Sequence, residues 1–335
     1  MNALEMYTAW YLLKVPIQKI IDNIDKTFEQ FSKNTGVLLS KPVYAFIQNQ
    51  EKLLEETSAK IFTIFDENYP NLLKNSSNPP VAIFCLGNCS LLTSKFFTIV
   101  GTRKATSYGK SVTRKFASEL SECFTIASGM AFGIDKEAHE ASLEAGGKTV
   151  AVLASGVDLP TPKSNETTYR RILKKGGAII SPYPLSSTPK KHRFVERNYI
   201  LASMSIGTLV VEAPEKSGAL ITARMAADEG RDVFSIPGDI TRYTSKGTNN
   251  LIKDGAIPVT SPTDIVEYYS LSGKKSASSE KMNDPVLQAV MNGCETAEEI
   301  AQTLNLPINK VLSRITELEL LGILENNNGQ IKPLS

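Results

Sequence analysis

The chain of 335 residues has few residues of the types that build metal sites and nucleophilic sites. It has only two histidines, and its four cysteines are scattered as Cys85, Cys89, Cys123 and Cys294. This pattern fits neither a disulfide framework nor a zinc site. A Gly-x-Ser-x-Gly nucleophile motif is also missing, so the sequence offers no evident catalytic residues. We therefore expect no enzyme activity, no metal and no cofactor.

Long apolar runs are absent as well. Hydrophobic residues make up 41% of the chain, but none of their runs approaches the roughly 18 residues of a membrane span. The N-terminal stretch MNALEMYTAWYLLKVP lacks a basic start and a small-residue cleavage site, which argues against a secretory signal. We expect a cytoplasmic protein with no membrane span.

The net charge is only +2, yet the charge is unevenly distributed. Residues 97–269 contain 22 Lys and Arg against 18 Asp and Glu, a net charge of +4. Residues 284–335 contain 3 against 7, a net charge of −4. If the chain binds a polyanion, the middle of the sequence is the better candidate surface.

Hydrophobic periodicity divides the chain into four parts. Residues 1–60 have apolar residues at helical spacing, which predicts a small helical domain. Residues 61–269 alternate short apolar runs with amphipathic stretches, which predicts an α/β fold with an extended Rossmann-like, mostly parallel sheet. Residues 270–283 are rich in Ser and Lys and predict a flexible linker. Residues 284–335 predict three helices and two strands around an Asn-Gly turn, as in a winged helix.

Three loops that follow apolar runs carry small residues and cations. The first contains Gly101, Thr102 and Arg103, the second contains Ser128 and Gly129, and the third contains Lys163. Ligands of parallel sheets bind beyond the carboxyl ends of the strands, and glycine and arginine suit a phosphate there. The second loop is equally well read as a tight strand-to-helix turn. A Walker A loop is disfavoured, because position 104 is Lys where that motif requires Gly.

The segment STPKKHRFVERNYI concentrates positive charge and includes Arg193 and Arg197. Phe194 and Tyr199 lie among these cations. Cations that follow a phosphate backbone, with aromatic rings for the bases, are what single-strand binding requires. The alternative is that both aromatic side chains belong to the core.

Downstream, Ser217 and Gly218 follow a buried strand and open a helix that contains Thr222. Amides at the beginning of such a helix attract anions. A further polar loop at the same sheet edge contains Lys246 and Asn249.

Together these stretches resemble the DNA-processing protein A (DprA/Smf) family over about residues 60 to 265. The resemblance rests on a series of motifs in order: VGTRKATSYG, ASGMAFGIDKEAH, LASGVD, PKSN, VEAPEKSGALITA, GRDVFSIPG and SKGTNNLI. It implies a Rossmann core that binds single-stranded DNA, forms a homodimer and loads the RecA recombinase during natural transformation. Single-strand-binding protein is a further partner to consider.

The resemblance also implies roles for individual residues. Arg103 and Lys163 would hold phosphates, and the same pocket would be shaped by Gly129, Arg197, Asn198, Ser217 and Gly218. The chain departs from the family pattern at Thr161, Val195 and Tyr199, where Tyr, Pro and Arg are usual. The last change removes a positive charge, which puts the affinity in doubt.

Two other functions compete with this interpretation. The stretch SIGTLVVEA partly resembles nucleotide-cleaving glycosidases of the lysine-decarboxylase-like group, although their Pro-Gly-Gly lead-in is missing. The chain is alternatively a scaffold that binds recombinase without DNA. In the C-terminal part, the third helix contains two cations, Lys310 and Arg314, and an equal number of glutamates. A helix that contacts duplex phosphates should be more basic, so protein contact is favoured over duplex binding.

Overall fold

A computed structural model gives the structure of the chain. It describes residues 1–276, 285–294, 296–320, 324–327 and 330–333. The chain divides into two compact units, Met1–Pro262 and Thr263–Ser335. None of the helices in the described ranges is both long enough and apolar enough to cross a bilayer.

The first unit is built around one nine-stranded sheet, all of whose residues the structure describes. Its strands are β1 (Lys60–Thr63), β2 (Ala82–Gly87), β3 (Phe96–Val100), β4 (Thr125–Ser128), β5 (Thr149–Val152), β6 (Ala178–Ser181), β7 (Ser205–Val210), β8 (Asp232–Ser235) and β9 (Ile257–Pro258). The order across the sheet is β1-β2-β6-β5-β4-β3-β7-β8-β9. β1 and β2 pair antiparallel, as do β2 and β6, and the other neighbours pair parallel. The predicted α/β class with a Rossmann-like, mostly parallel sheet is therefore confirmed.

Helices precede, follow and connect these strands. They are α1 (Ala3–Tyr11), α2 (Ile17–Ile21), α3 (Phe28–Thr35), α4 (Lys41–Thr57), α5 (Asn71–Lys74), α6 (Ser107–Leu120), α7 (Ile134–Glu144), α8 (Glu166–Lys174), α9 (Lys191–Met204), α10 (Gly218–Asp228), α11 (Lys246–Lys253) and α12 (Pro262–Ser276). β3, β4, β5 and β6 are buried along their whole length. Continuous burial is typical of parallel strands that are covered on both faces.

The N-terminal helices share a hydrophobic core with the sheet. Tyr7 of α1 is fully buried, and its ring meets Phe84 of β2 edge-on at a centroid distance of 5.0 Å. The Tyr7 hydroxyl donates to the Pro182 carbonyl at 3.0 Å. Residues 1–57 contain the helices α1 to α4, and the structure places them in the same compact unit as the sheet.

The second unit contains α12 from Thr263 onward and, among the residues that the structure describes, three further helices and one hairpin. These are α13 (Pro285–Met291), α14 (Ala297–Leu304), α15 (Ile308–Leu320), β10 (Leu324–Asn327) and β11 (Gln330–Pro333). The strands pair antiparallel, and Ile300, Ile315 and Leu324 belong to the core. This order matches the prediction, and the winged-helix assignment itself stays a prediction. The predicted Asn-Gly turn, at 328–329, lies outside the described residues.

The predicted flexible linker, residues 270–283, differs from the structure in its first half. Residues 270–276 continue α12, because the helix runs from Pro262 to Ser276. Residues 277–283 lie outside the described residues. The prediction from composition therefore begins the linker several residues too early.

His139 on α7 is a buried titratable group that contacts the sheet at β5. Its side chain is fully inaccessible, and Nδ1 lies 2.7 Å from the Thr149 hydroxyl of β5. Burial, assisted by the nearby Arg197 cation, lowers the pKa of His139 from 6.5 to about 3. The imidazole is therefore neutral in the folded protein at every pH above about 3.

This depressed pKa makes stability dependent on pH with a defined sign. Below pH 6.5 the unfolded chain protonates His139 and the folded chain does not, so stability is lost as the pH falls. The cost is roughly 1.4 kcal/mol per pH unit until the folded-state pKa is reached. Urea unfolding at about pH 7 and about pH 5 should show a loss of roughly 2 kcal/mol from this residue. His139→Gln should lose that part of the pH dependence, whereas exposed His192→Gln should retain it. Equal pH dependence in all three proteins would contradict this assignment.

Candidate nucleic-acid interface

A cleft of about 260 Å³ lies beyond the carboxyl ends of β3 and β7. It is lined by Val100, Gly101, Thr102, Arg103, Ala131, Asp135, Arg197, Asn198, Pro214, Lys216, Ser217, Gly218, Ala219 and Thr222. The two strands are neighbours in the sheet, and the loops that follow them form opposite walls. The site lies where a parallel sheet is expected to bind its ligand.

Arg103 is the exposed cation of the first wall. It follows β3 in the turn Gly101–Arg103, and its guanidinium lies 5.6 Å from the centroid of the Phe194 ring of α9. Arg197 contacts the same ring, with its guanidinium 6.0 Å from the centroid. The half-buried ring of Phe194 therefore orients the solvent-exposed Arg103 side chain.

Arg197 is a buried cation at the floor of the cleft and is only 4% exposed. Its Nη1 donates to the Val152 carbonyl at 2.6 Å and also to the Gly129 carbonyl, while Nε donates to the Asn198 side chain at 3.1 Å. Burial lowers the pKa of Arg197 to about 10. It therefore stays protonated at neutral pH and contributes a positive potential to the cleft.

Asp135 is the acidic partner of this cation. Its carboxylate is 5% exposed and accepts a hydrogen bond from the Gly129 amide at 3.2 Å. Burial raises the pKa of Asp135, and the positive charge of Arg197 opposes that rise. The exposed cations Arg103 and Lys216 are added to this buried pair, so the cleft carries excess positive charge.

The beginning of α10 forms the second wall. The Ser217 hydroxyl accepts from the Ala219 amide at 3.3 Å, and the Asn198 amide donates to the Gly218 carbonyl at 3.5 Å. Gly218 is exposed, and a side chain there would meet no protein atom within 4 Å. Packing within the chain does not require this glycine, and its small size leaves the helix N-terminus open to an anion.

Glu212 holds the two walls together from below. It is 2% exposed, and its carboxylate accepts from the Thr106 amide at 2.9 Å, the Thr106 hydroxyl at 2.7 Å and the Thr244 hydroxyl at 3.2 Å. Its backbone carbonyl accepts from the Thr102 amide at 2.7 Å. One buried carboxylate therefore joins the loops that follow β3, β7 and β8.

The structure brings eight of the fourteen predicted site residues to the cleft. They are Gly101, Thr102, Arg103, Arg197, Asn198, Ser217, Gly218 and Thr222. They come from three separate parts of the sequence and meet because β3 and β7 are adjacent and α9 leads into β7.

Three predicted residues have internal partners instead. Ser128 is fully buried and donates to the Ile99 carbonyl at 2.7 Å, while Gly129 is bonded through its amide and its carbonyl. Arg193 is 7% exposed, and it donates to the Thr188 carbonyl and the Tyr11 hydroxyl, both at 2.8 Å. The prediction of Arg193 as a direct ligand contact is therefore corrected: it joins α9 to α1.

The remaining three predicted residues lie to either side of the cleft. Lys163 is exposed in the 3₁₀ turn before α8, beyond β5. Lys246 is exposed at the beginning of α11, and Asn249 exchanges two hydrogen bonds with Gly238. Asn249 therefore stabilises its own loop. That loop borders a second cavity of about 430 Å³, lined by Tyr108, Pro237, Gly238, Asp239, Arg242 and Ser245.

Tyr199 was one of two candidate aromatic contacts and is used within the fold. Its hydroxyl donates to the Glu229 carboxylate at 2.7 Å and accepts from the Asn78 amide at 2.8 Å. This network ties α9 to α10 and to the loop before β2. The structure thus supports the alternative interpretation, in which Tyr199 has a structural role.

Two important residues were missed as site residues from the sequence. Lys216 lines the cleft directly before the start of α10, and its position in the stretch EKSG was an available signal. Glu212 is not predicted as a site residue, since nothing in its local sequence reveals that Thr106 and Thr244 both donate to it. Among the described residues, no group of three or more His, Cys, Asp or Glu side chains forms a candidate metal site.

The role of Glu212 predicts the effect of replacing it. Glu212→Gln keeps an acceptor oxygen but places an amide N–H among three donors, so we expect a loss of about 1–3 kcal/mol in the free energy of unfolding. Amide exchange of Thr102 and Thr106 should accelerate, because both amides donate to this residue. Exposed Glu215→Gln, three residues away, is the matched control and should change neither measurement. Identical behaviour of the two variants would contradict the bridging role.

Comparisons with known proteins identify the family of this chain. The family model of DNA recombination-mediator protein A matches residues 60–270. Protein Smf of Escherichia coli (strain K12) is 34% identical over 283 residues, which cover 80% of this chain and 76% of that protein.

Two solved structures are similar over most of their own length. The X-ray structure of DNA processing protein A (DprA) from Streptococcus pneumoniae has a TM-score of 0.68 and 33% identity, covering 80% of this chain and 98% of that one. DNA processing protein A from Helicobacter pylori, described for its single-stranded DNA binding mode, has a TM-score of 0.58 and 28% identity, covering 64% and 96%. With a family model that matches well over half of the chain, and with the sheet and cleft described above, the protein belongs to the DNA recombination-mediator protein A family.

Proposed function

We propose that this protein binds single-stranded DNA, without cleaving it, along the carboxyl edge of its parallel sheet. The observation that carries the proposal is the cleft in which exposed Arg103 and Lys216 face the open N-terminus of α10 above the buried Arg197 cation. Guanidinium groups and helix N-terminal amides are both strong phosphate ligands. The Helicobacter pylori relative, whose title names single-stranded DNA binding, supports the choice of polyanion.

The predicted residues take different roles in this proposal. Arg103 contacts phosphate directly, because its side chain is exposed and held over Phe194. Arg197 acts through its charge and by positioning the loops, since its Nη1 and Nε already bond to the protein. Lys163 and Lys246 extend the positive surface beyond the cleft on either side. Ser128, Gly129, Arg193 and Asn249 support the fold beneath.

A glycosidase function is less well supported by the geometry. In that alternative the glutamate that follows the Gly-Thr strand, Glu212, is the candidate reactive group. Here its carboxylate is 2% exposed and accepts hydrogen bonds from Thr106 and Thr244. A general acid or nucleophile must reach its substrate within hydrogen-bonding distance. The Glu212 carboxylate instead accepts hydrogen bonds from within the protein.

Removing the cation of Arg103 provides the first test. Arg103→Ala should weaken binding of an oligothymidylate by about 10- to 100-fold, the value of one charge-assisted contact. It should also reduce the slope of log affinity against log salt by about 0.7, as expected for one lost phosphate contact on a single strand. Fluorescence anisotropy across a salt titration measures both quantities.

Arg170→Ala is the matched control for that variant. It removes the same charge from an exposed site on α8, where Arg170 pairs with Glu166 at 2.7 Å. Its affinity and its salt slope should stay close to those of the wild type. Binding that does not respond to salt would count against the proposal. Release of free base from nucleoside monophosphates, lost in Glu212→Gln, would favour the glycosidase instead.

We further propose that the protein acts as a homodimer and delivers the bound strand to the RecA recombinase. The family description, recombination-mediator protein, supports this step. The wild type should shorten the lag before RecA hydrolyses ATP on single strands covered by single-strand-binding protein. Arg103→Ala should lose this effect if delivery depends on DNA binding. A variant that binds DNA poorly and still removes the lag would show that the protein is a scaffold for recombinase alone.

A further inference from the structure

The loop between β4 and α7, residues 129–133, is fixed at its first half. The Gly129 carbonyl accepts from the Arg197 guanidinium, and the Gly129 amide donates to Asp135 at 3.2 Å. Met130 is fully buried with a φ of 60°, and its carbonyl accepts from the Asn165 amide at 2.8 Å. Since Asn165 belongs to the 3₁₀ turn that begins with Lys163, this half of the loop is bound to the turn that carries that lysine.

The second half of the loop is fixed to the turn that carries Arg103. Gly133 has a φ of 75°, and a side chain there would overlap the backbone carbonyls of Thr102 and Arg103. The Ile134 amide donates to the Thr102 carbonyl at 3.3 Å. Only glycine tolerates both this conformation and this approach, so the loop packs directly against the Arg103 turn.

Between these two fixed halves, Phe132 is 46% exposed. Its neighbour Ala131 lines the cleft, so Phe132 follows a lining residue directly along the chain. Phe194 differs, because it is half-buried and lies within 6.0 Å of two guanidinium groups. Phe132 is therefore the more accessible phenylalanine of this edge.

The position of Phe132 between two exposed cations indicates what it contacts. β4 lies between β3 and β5 in the sheet, so the loop of Phe132 lies between the turns of Arg103 and Lys163. Adjacent strands are about 4.8 Å apart, which separates the ends of β3 and β5 by roughly 10 Å. A polyanionic strand that follows both cations passes an aromatic ring on the way, which is the pattern of a stacking platform.

We infer that Phe132 stacks against a base of the bound single strand. The inference rests on the proposed function and deepens it, since it assigns a base contact between two phosphate contacts. Stacking accepts every base, because each offers a π face. Phe132 therefore adds affinity for single strands without reading their sequence.

An oligothymidylate and an abasic oligonucleotide of the same length separate stacking from phosphate contact. Phe132→Ala should weaken binding of the oligothymidylate by about 5- to 150-fold and leave binding of the abasic strand unchanged. Phe132→Trp should restore affinity for the oligothymidylate. The fluorescence of the added tryptophan should be quenched on binding. The wild type, whose one tryptophan is Trp10, gives the background for this measurement. Leu38→Ala is the control, because Leu38 is a 79% exposed apolar side chain on the N-terminal part.

The outcomes distinguish this inference from the function on which it rests. Wild-type protein that binds neither oligonucleotide overturns the proposed function and, with it, this inference. If the wild type binds, two results for Phe132→Ala overturn the stacking role alone. One is an unchanged affinity for the oligothymidylate, and the other is an equal loss of affinity for the oligothymidylate and the abasic strand. Unchanged DNA binding with loss of the RecA effect would assign the ring to a protein partner instead.

Discussion

The buried guanidinium of Arg197 is the interaction on which the edge of the sheet depends. It reaches from α9 to the carbonyls at the ends of β4 and β5 and lies beside the carboxylate of Asp135. Taking such a cation out of water costs several kcal/mol, and only hydrogen bonds and an opposite charge offset that cost. The loops around Arg197 are consequently stabilised in this arrangement, since loss of these hydrogen bonds would leave a buried charge without partners.

Glu212 performs the corresponding task with the opposite charge. It gathers the amide and hydroxyl of Thr106 and the hydroxyl of Thr244, so the loops after β3 and β8 meet beneath the strand end of β7. The cleft is thus organised by two buried charges that face the protein. The exposed cations Arg103 and Lys216 are left free to face a ligand. A preorganised surface of this kind avoids much of the ordering cost that weakens binding.

This arrangement explains why a small net charge is compatible with binding a polyanion. The whole chain carries only +2, yet its positive groups at the cleft are concentrated over an open helix N-terminus. Local geometry therefore matters more than the overall balance of charge. A cationic or aromatic side chain near the cleft is therefore not always a ligand contact. The cation Arg193 and the aromatic Tyr199 form hydrogen bonds that fix α9 within the fold.

Local sequence pattern is sufficient to predict the fold class and the edge of the sheet at which the site lies. Apolar runs that end in glycine or proline identify buried parallel strands, and the loops that follow them must meet at one edge because parallel strands share a direction. For this reason Gly101, Arg103, Ser217 and Gly218 were predicted as neighbours and do line one cleft. Which of these side chains are exposed to a ligand follows only from the folded chain. Burial and hydrogen bonds arise between segments far apart in the chain, as between Arg193 and Tyr11 or between Glu212 and Thr106. Local sequence pattern does not predict such contacts.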